Sequence, residues 1–369
     1  MARRIILLLF LFFVAGTSFL LLDKNTSDSI PKSAPQLQNQ SGSIERTNFG
    51  AEYIIAGNLD IPWAIAFLPN RDLILTQRKG KVLIISGDLR SKPREITQIN
   101  NVKAQGEGGL LGIATHPDFE NNKFIYFYYT YGGNGNDTLN RVSRFEYVND
   151  NLINERTIVD KIPGNSNHNG GRIKFGPDEL LYIGTGDAQE PSLSQNKNSL
   201  AGKILRVTDE GKPAPDNPFG NQIYSYGHRN VQGLAWDNDN NLWATEHGNS
   251  TRDELNKIEK GGNYGWPEIT GDQTRSGMIT GIINSGDDTW APSGLAFYKD
   301  SLYFAGLRGS ALFKFDIGNK SLNKLFDEKY GRIREAITGP DGALYILTNN
   351  TDGRGILKPG DDKLIRLDL

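Results

Sequence analysis

The stretch "FGPDELLYIGTGD", from Phe175 to Asp187, is typical of a β-hairpin that leads into a polar loop. An aromatic residue and a Pro-Asp turn precede a short run of apolar, β-favouring residues, and Gly and Asp follow them. Related stretches recur at intervals of roughly 40 to 60 residues, which indicates a propeller or another repeat array. They are "FLPNRDLILTQRKG" at 67, "HPDFENNKFIYFYYT" at 116, "WDNDNNLWATEHG" at 236, "FYKDSLYFAGLRG" at 297 and "TGPDGALYILTNN" at 338.

Six copies over about 320 residues leave about 53 residues for each unit, enough for a blade of four strands. Long segments with a helical period of 3.6 are absent from the sequence. We therefore predict an all-β fold, a six-bladed β-propeller of four-stranded blades over residues 49–369. The last strand, "DKLIRLDL", is expected to pair with strands from the N-terminal side and close the ring. A large β-sandwich with hairpin turns that merely look alike is the alternative.

The N-terminus has the pattern of a targeting element. Residues 1–22, "MARRIILLLFLFFVAGTSFLLL", place two arginines before an apolar stretch, which predicts a signal peptide or an uncleaved membrane anchor. Residues 23–48 are polar and rich in Ser, Asn and Gln, as in a flexible linker. We expect the folded part to be exported, to the periplasm or the extracellular or cell-surface space, and possible tethering to the membrane through the N-terminus stays open.

The composition limits the classes of partner and metal. The balance of 41 basic and 43 acidic residues gives no support for nucleic acid as a partner. The chain has no cysteine, so disulfides and thiolate metal sites are impossible. A bound metal would need oxygen or imidazole ligands, and such ligands favour a hard ion such as calcium. The "DNDNN" at 237 lacks the other ligands of a calcium loop and is predicted to be a hairpin turn.

Polar segments flank the repeated strands and are expected to meet at one end of the central channel. They are "QGEGG" at 105, "NSNHNGG" at 165, "TGD" at 185, "TEHGN" at 245, "GLRG" at 306 and "GRIR" at 331. His168 lies in the second of them and is a candidate general base, because imidazole exchanges protons near neutral pH. A turn histidine bonded to a neighbouring carbonyl is the alternative.

Several of these segments resemble the soluble quinoprotein sugar dehydrogenases of the glucose/sorbosone dehydrogenase family, which use pyrroloquinoline quinone (PQQ). The resemblance covers residues 50–369, and the family's fold is a six-bladed propeller. The motifs are "GNLDIPWAIAFLPNRDLILTQRKG" at 57, "GEGGLLGIATHPDF" at 106, "HNGGRIKFGPDELLYIGTGD" at 168, "SLAGKILRV" at 199 followed by "DNPF", "YSYGHRNVQGLAW" at 224, "ATEHGNSTRDELNKIEKGGNYGWPE" at 244 and "GRIREAITGPDGALYIL" at 331.

The resemblance implies a reaction and a set of site residues. An aldose sugar would be oxidised at its anomeric C1-OH to a lactone, with His168 as the base, PQQ as the hydride acceptor and calcium assisting. The positions that match PQQ contacts are Glu107, Arg229, Asn230, Trp290, Arg308, Arg332 and Arg334. The matching calcium ligands are the carbonyl oxygens of Gly248 and Asn249, and, for a second, structural calcium, Glu254 and Tyr264.

Two positions depart from the family's pattern. Glu107 stands where the glucose enzymes commonly have glutamine, and its carboxylate would repel those of PQQ unless it is protonated, faces calcium or bonds the sugar. Asn167 stands where some relatives have aspartate, so His168 is expected to lack a charged neighbour. The electron acceptor would be external, and a monomer and a homodimer are both open. A non-catalytic extracellular propeller that binds a partner or a carbohydrate, and a calcium-dependent propeller lactonase, are the alternative functions.

Overall fold

The computed structural model describes residues 50–133 and 137–369, and the predictions for residues 1–22 and 23–48 lie outside these ranges. The described strands form six separate antiparallel sheets of four strands each. Within the same ranges the helices are short, with an α-helix over Phe119–Asn122 and a 3-10 helix over Pro191–Ser194, and none is long and apolar enough to cross a membrane. The predicted six-bladed all-β fold is confirmed, and the β-sandwich alternative is wrong.

The blades follow one another along the chain. The first strand, β1 (Glu52–Ala56), belongs to the last blade. Blade 1 contains β2 (Pro62–Phe67), β3 (Leu73–Gln77), β4 (Lys81–Ile85) and β5 (Arg94–Gln98). Blade 2 contains β6 (Leu110–Thr115), β7 (Phe124–Gly132), β8 (Thr138–Val148) and β9 (Asn151–Gly164). Blade 3 contains β10 (Ile173–Phe175), β11 (Leu181–Gly184), β12 (Lys203–Val207) and β13 (Ile223–Tyr226).

The second half of the ring repeats the same order. Blade 4 contains β14 (Val231–Trp236), β15 (Leu242–Glu246), β16 (Glu254–Ile258) and β17 (Ile283–Asn284). Blade 5 contains β18 (Pro292–Tyr298), β19 (Ser301–Gly306), β20 (Ala311–Asp316) and β21 (Ser321–Leu325). Blade 6 contains β22 (Ile333–Thr338), β23 (Leu344–Thr348), β24 (Leu364–Leu367) and β1.

The repeated sequence stretches are the inner hairpins of the blades. The first strands of neighbouring blades contact one another, for example β14 with β18 and β18 with β22, so these strands surround the central channel. In blade 4 the hairpin turn is closed by a hydrogen bond from Asp237 N to Asn241 O of 3.1 Å. The "DNDNN" segment is therefore the hairpin turn that the sequence predicts. Because β3, β11 and their equivalents run antiparallel to the inner strands, they end where the inner strands begin.

The ring closes by pairing the two ends of the described chain. In blade 6, β1 pairs antiparallel with β24, with Glu52 opposite Leu367, as the sequence predicts. Leu367 in turn lies opposite Leu344, and Leu344 lies opposite Thr338. Thr338 is the last residue of β22, whereas Ile333 is its first. Glu52 and Leu367 are therefore at the end of the ring opposite to the start of the inner strands.

Apolar side chains are buried on both faces of the blades. Tyr126, Phe127, Tyr128 and Tyr129 are consecutive residues of β7, and at most 1% of each is exposed to solvent. Strands covered on both faces have continuous apolar runs rather than an alternating pattern. Full burial of an aromatic or aliphatic side chain contributes about 1.5 to 3 kcal/mol. The contacts between blades therefore supply much of the free energy of folding.

A buried ion pair lies in the central channel. The Arg172 guanidinium, just before β10, pairs with the carboxylate of Glu335 in β22. Its Nε donates to Gln232 O in β14 at 2.8 Å, and the guanidinium lies 4.5 Å from the ring of Trp63 in β2. Burial raises the pKa of Glu335, and Arg172 opposes this effect by favouring the carboxylate. One arginine thus connects blades 3, 6, 4 and 1.

We expect Arg172→Met to lower the free energy of unfolding by about 3 to 5 kcal/mol, because it leaves Glu335 buried without its cation. Lys79→Met is the matched control, since Lys79 forms an exposed ion pair with Asp60 at 2.9 Å. Such a surface pair contributes about 0 to 1 kcal/mol. Urea unfolding of both variants measures the difference, and equal losses of stability would contradict a special role for the channel pair.

Candidate active site

The predicted polar segments meet where the inner strands begin. Glu107 precedes β6, His168 precedes β10, and Arg229 precedes β14, so the three residues come from blades 2, 3 and 4. His168 N donates to Glu107 Oε2 at 3.1 Å, and Arg229 Nη2 lies 2.9 Å from His168 Nε2. Residues that are 61 positions apart in the sequence are therefore in direct contact.

A buried carboxylate holds the ring of His168. His168 Nδ1 lies 2.7 Å from Asp187 Oδ1, and the Asp187 side chain is fully buried. The other oxygen, Oδ2, accepts a hydrogen bond from Trp266 Nε1 at 2.9 Å. Because a carboxylate accepts the Nδ1 proton, the lone pair of the neutral imidazole is on Nε2, which faces Arg229. The expectation that His168 lacks a charged neighbour is wrong, since Asp187 supplies the charge that residue 167 does not.

The loops around His168 approach each other closely. A Cβ atom added to Gly186 would lie 1.8 Å from His168 O, so only glycine fits in the "TGD" segment at this point. His168 itself has a φ of 59°, in the left-handed region that a residue with a Cβ seldom adopts. Backbone strain of this kind is common at functional sites and needs support from the surrounding structure. The bonds from Glu107 and Asp187 give that support to His168.

Among residues 50–133 and 137–369, five buried polar atoms at this end of the channel have no hydrogen-bond partner. They are Arg78 Nε, Arg229 Nε, Asn230 Nδ2, His247 Nε2 and Arg334 Nε. They come from blades 1, 4 and 6. Burial lowers the pKa of His247 to about 4 in spite of the opposing effect of nearby carboxylates, so the charge of this group comes from the arginines. An unpaired buried donor costs about 1 to 3 kcal/mol. The site is therefore suited to a ligand with many acceptor atoms and negative charge.

Arg334 is the clearest example in this group of a cation without an anionic partner. Its guanidinium donates to Gln232 Oε1 at 2.7 Å and to Asn349 Oδ1 at 3.1 Å, and neither partner carries a charge. Burial and the neighbouring Arg332 guanidinium lower the pKa of Arg334 to about 9. Arg332, by contrast, has an ion pair with Asp352 at 2.9 Å. In the part of the chain that the structure describes, Arg334 therefore carries a buried positive charge with no anion bonded to it.

Arg308 lies at the edge of the site. It is exposed and faces a pocket of about 380 Å³, which it shares with Arg332, Arg354 and Lys358. Within residues 50–133 and 137–369, its guanidinium makes no hydrogen bond or ion pair. Glu328 also lines the pocket, and the excess of cationic over anionic side chains would favour an anionic group.

Trp290 lies in the interior of blade 5. Only 6% of the residue is exposed, and its ring packs against Phe304 and Phe313 at centroid distances of 5.3 and 5.7 Å. Its backbone N donates to Asp253 Oδ2 at 2.7 Å. The structure thus gives Trp290 a role in the core, and stacking on a cofactor stays a prediction.

The carbonyl groups predicted to bind calcium lie in the loop after β15. Asn249 O accepts a hydrogen bond from Arg229 Nη2 at 3.3 Å, which shows that it faces the site. Gly248 N donates to Asp253 Oδ1 at 2.8 Å. In the part of the chain that the structure describes, no three His, Asp or Glu side chains are grouped so as to hold a metal. A cation here would depend on carbonyl oxygens and on oxygens of the ligand.

The second predicted cation site contains two carboxylates close together. Asn256 Nδ2 lies 3.3 Å from both Glu246 Oε2 and Glu254 Oε2, and Asn256 Oδ1 is buried without a partner. Burial, together with Glu246, raises the pKa of Glu254 to about 8. Tyr264 packs nearby, with its ring stacked on that of His228 at 4.7 Å. An oxygen-rich place of this kind would accept a cation.

The sequence analysis included the segments that contain Asp187 and His247 but gave these two residues no role, and it did not single out Arg78. All three occur in segments that precede or follow the inner strands, but a lone Arg, Asp or His there has no distinctive spacing. Their importance follows from partners on other blades. The positional rule that selected the segments of Asp187 and His247 applies to Arg78 as well, because residues just after the second strand of each blade face the same opening.

Comparison with known proteins adds independent evidence. An aldose sugar dehydrogenase of Escherichia coli, YliI, is 32% identical over 81% of this chain and 90% of its own length. Quinoprotein glucose dehydrogenase B of Acinetobacter calcoaceticus is 33% identical over 66% of this chain and 57% of its own length. The structure of the PQQ-bound form of an aldose sugar dehydrogenase from Streptomyces coelicolor matches with a TM-score of 0.81 and 40% identity, covering 86% of this chain and 98% of the other.

The family model for glucose/sorbosone dehydrogenases covers most of the ring. It matches residues 59–358, a range that begins just before β2 and ends just before β24. It therefore includes every inner hairpin and every site residue described above. With this match and relatives that align over most of the propeller, the chain belongs to the glucose/sorbosone dehydrogenase family.

Proposed function

We propose that this protein is a PQQ-dependent aldose sugar dehydrogenase. The observation that carries the proposal is the group of five unpaired buried polar atoms around His168, which calls for an anionic ligand rich in acceptors. The names of the relatives give the same chemistry, since one is a quinoprotein and another has PQQ bound. The oxidation of a sugar is then the reaction for which His168 provides the base.

The residues present fit PQQ, which is a flat ortho-quinone with three carboxylates. Guanidinium groups bind carboxylates in a forked geometry, and Arg229, Arg332 and Arg334 would bind those of PQQ in this way. Asn230 would supply an amide donor, and Arg308 would act at the outer edge. Arg78 and His247 are additions to the set implied by the family resemblance. When bound, PQQ would supply the quinone that accepts a hydride.

His168 would act as the general base. Its Nε2 would take the proton from the C1-OH of the aldose, and bound PQQ would supply the acceptor for the C1 hydride, so that the sugar would become a lactone. Asp187 fixes the ring through Nδ1 and would stabilise the imidazolium that forms. Because Arg229 Nη2 now lies 2.9 Å from Nε2, the same arginine would hold the anionic ligand beside the base.

Calcium is part of the proposal on the strength of the donor groups. The Gly248 and Asn249 carbonyls would hold one ion against the quinone, which a cation makes more electrophilic. Glu254, the Tyr264 carbonyl and the unpaired Asn256 Oδ1 would hold a second, structural ion. We also propose that the electron acceptor is external, that the protein is exported and that residues 1–22 can tether it to the membrane.

The direct test is reconstitution of the purified protein with PQQ and calcium. We expect dye-linked oxidation of aldoses only when both are added, and quenching of tryptophan fluorescence as PQQ binds. Binding without oxidation of any aldose would favour a non-catalytic propeller. Absence of PQQ binding would overturn the proposal, and calcium-dependent hydrolysis of a lactone without PQQ would favour the lactonase alternative.

We expect His168→Gln to bind PQQ normally and to oxidise sugar about 10² to 10⁴ times more slowly, because glutamine cannot take the proton. The control is His116→Gln: His116 lies just after β6, at the other end of the ring, where its Nδ1 accepts a hydrogen bond from Asp118 N at 2.9 Å. Single-turnover reduction of bound PQQ measures the effect. A rate near that of the unaltered protein would remove His168 from the mechanism.

We expect Arg334→Ala to weaken PQQ binding about ten- to a hundred-fold, because a charge-assisted hydrogen bond contributes about 1.5 to 3 kcal/mol. The rate of sugar oxidation at saturating PQQ should change less. Arg366→Ala serves as control, since Arg366 already pairs with Asp341 at 2.7 Å on the outer part of blade 6. Unchanged affinity in a PQQ titration of Arg334→Ala would place Arg334 outside the site.

A further inference from the structure

An ion pair crosses the opening of the site. Arg354, in the loop between β23 and β24 of blade 6, donates from Nη1 to Glu107 Oε1 of blade 2 at 2.8 Å. The two residues are 247 positions apart, and blade 1 lies between their blades. The Arg354 side chain is 45% exposed and that of Glu107 is 23% exposed. The pair is therefore at the mouth of the site, within reach of solvent but also of a bound ligand.

The carboxylate of Glu107 is part of the site. Its other oxygen, Oε2, accepts the backbone N-H of His168 at 3.1 Å, so Glu107 also holds the loop that carries the base. Burial disfavours its charge, but His247, Arg354 and the His168 N-H outweigh burial and lower the pKa of Glu107 to about 2. A negative charge therefore lies beside the place that an anionic ligand would occupy.

The loop that carries Arg354 is held to Arg332, one of the proposed ligand-binding arginines, through Asp352. Asp352 Oδ1 accepts the backbone N-H of Arg354 at 2.9 Å, and Asp352 Oδ2 accepts from Arg332 Nη2 at 2.9 Å. Burial lowers the pKa of Arg78, and the charges of Asp352, Arg354 and Glu107 also act on it. The position of Arg354 is thus fixed from one side by Asp352 and from the other by Glu107.

We propose that Arg354 is a positioning residue that neutralises Glu107 and so allows the site to bind a tricarboxylate beside a carboxylate. The inference rests on the proposed function, because it concerns the affinity for PQQ. It explains how Glu107, which departs from the family's pattern, can lie beside PQQ without repelling the carboxylates of PQQ. Glu107 is neither protonated nor dependent on a metal in this arrangement, since an arginine from blade 6 balances its charge.

The opposite view is that the pair is an ordinary surface ion pair. Such pairs have little influence on stability, and a variant that loses one usually behaves normally. The two views differ in what happens to an anion that binds next to Glu107. Without Arg354, two like charges would lie within a few ångströms in a partly buried place, where repulsion is much stronger than in bulk water.

The test compares Arg354→Gln, Glu107→Gln, the double variant and the unaltered protein. PQQ affinity is measured by quenching of tryptophan fluorescence, with calcium but without sugar or dye, at low and high salt. We expect Arg354→Gln to raise Kd at least tenfold, less so at high salt, because salt screens charges near the surface. The double variant should return to within about threefold of the unaltered protein, because both charges are then absent.

Arg354→Lys keeps the charge and should retain most of the affinity. This result would show that the affinity depends on the charge at position 354 and not on the shape of the arginine side chain. Arg366→Gln is the control for loss of an arginine away from the site, and urea unfolding checks that each variant is folded. An unchanged Kd in Arg354→Gln, or a double variant as weak as Arg354→Gln, overturns the inference while leaving PQQ binding intact. Failure of the unaltered protein to bind PQQ overturns the proposed function, and the inference with it.

Discussion

The ion pair between Arg172 and Glu335 is the contact on which the geometry of the channel depends. Six blades meet along one axis, and their inner strands bring the side chains of Arg172 and Glu335 together in a buried place. Arg172 forms an ion pair with Glu335, donates a hydrogen bond to a backbone carbonyl of β14 and lies over the ring of Trp63. Gln232, whose carbonyl Arg172 binds, accepts a bond from Arg334 through its side chain. The Arg172–Glu335 pair is thus coupled to Arg334 through Gln232, and we expect loss of the pair to disturb Arg334.

The fold could be predicted from the sequence because each blade repeats the same local chemistry. Every inner hairpin has its own turn and its own β-favouring residues, so the six copies are visible without knowledge of their contacts. The closing pair of β1 and β24 was also predictable, because a ring needs its last strand to find a partner. His168 could be singled out as a rare residue type in a glycine-rich loop.

The partners that each site residue contacts could not be predicted, because they lie on other blades. Asp187 acts on His168 from 19 residues away, and Arg354 acts on Glu107 from 247 residues away, and no sequence period connects them. Trp290 shows the converse problem, since an aromatic side chain near the site is used to fill the core of blade 5. A residue type tells what a group can do, whereas the packing of the ring decides which group faces the ligand.

The antiparallel closure of blade 6 also has a practical consequence for attaching the protein to a surface. Glu52 and Leu367 are paired at the end of the ring opposite to Ile333, and Asp368 N still bonds to Ala51 O at 2.9 Å. A linker joined ahead of Glu52 or beyond Leu367 would therefore leave from the face that does not contain His168. Immobilised on an electrode through either linker, the propeller would present its open mouth to the solution, so that sugar could enter freely while a diffusing mediator carried the electrons back.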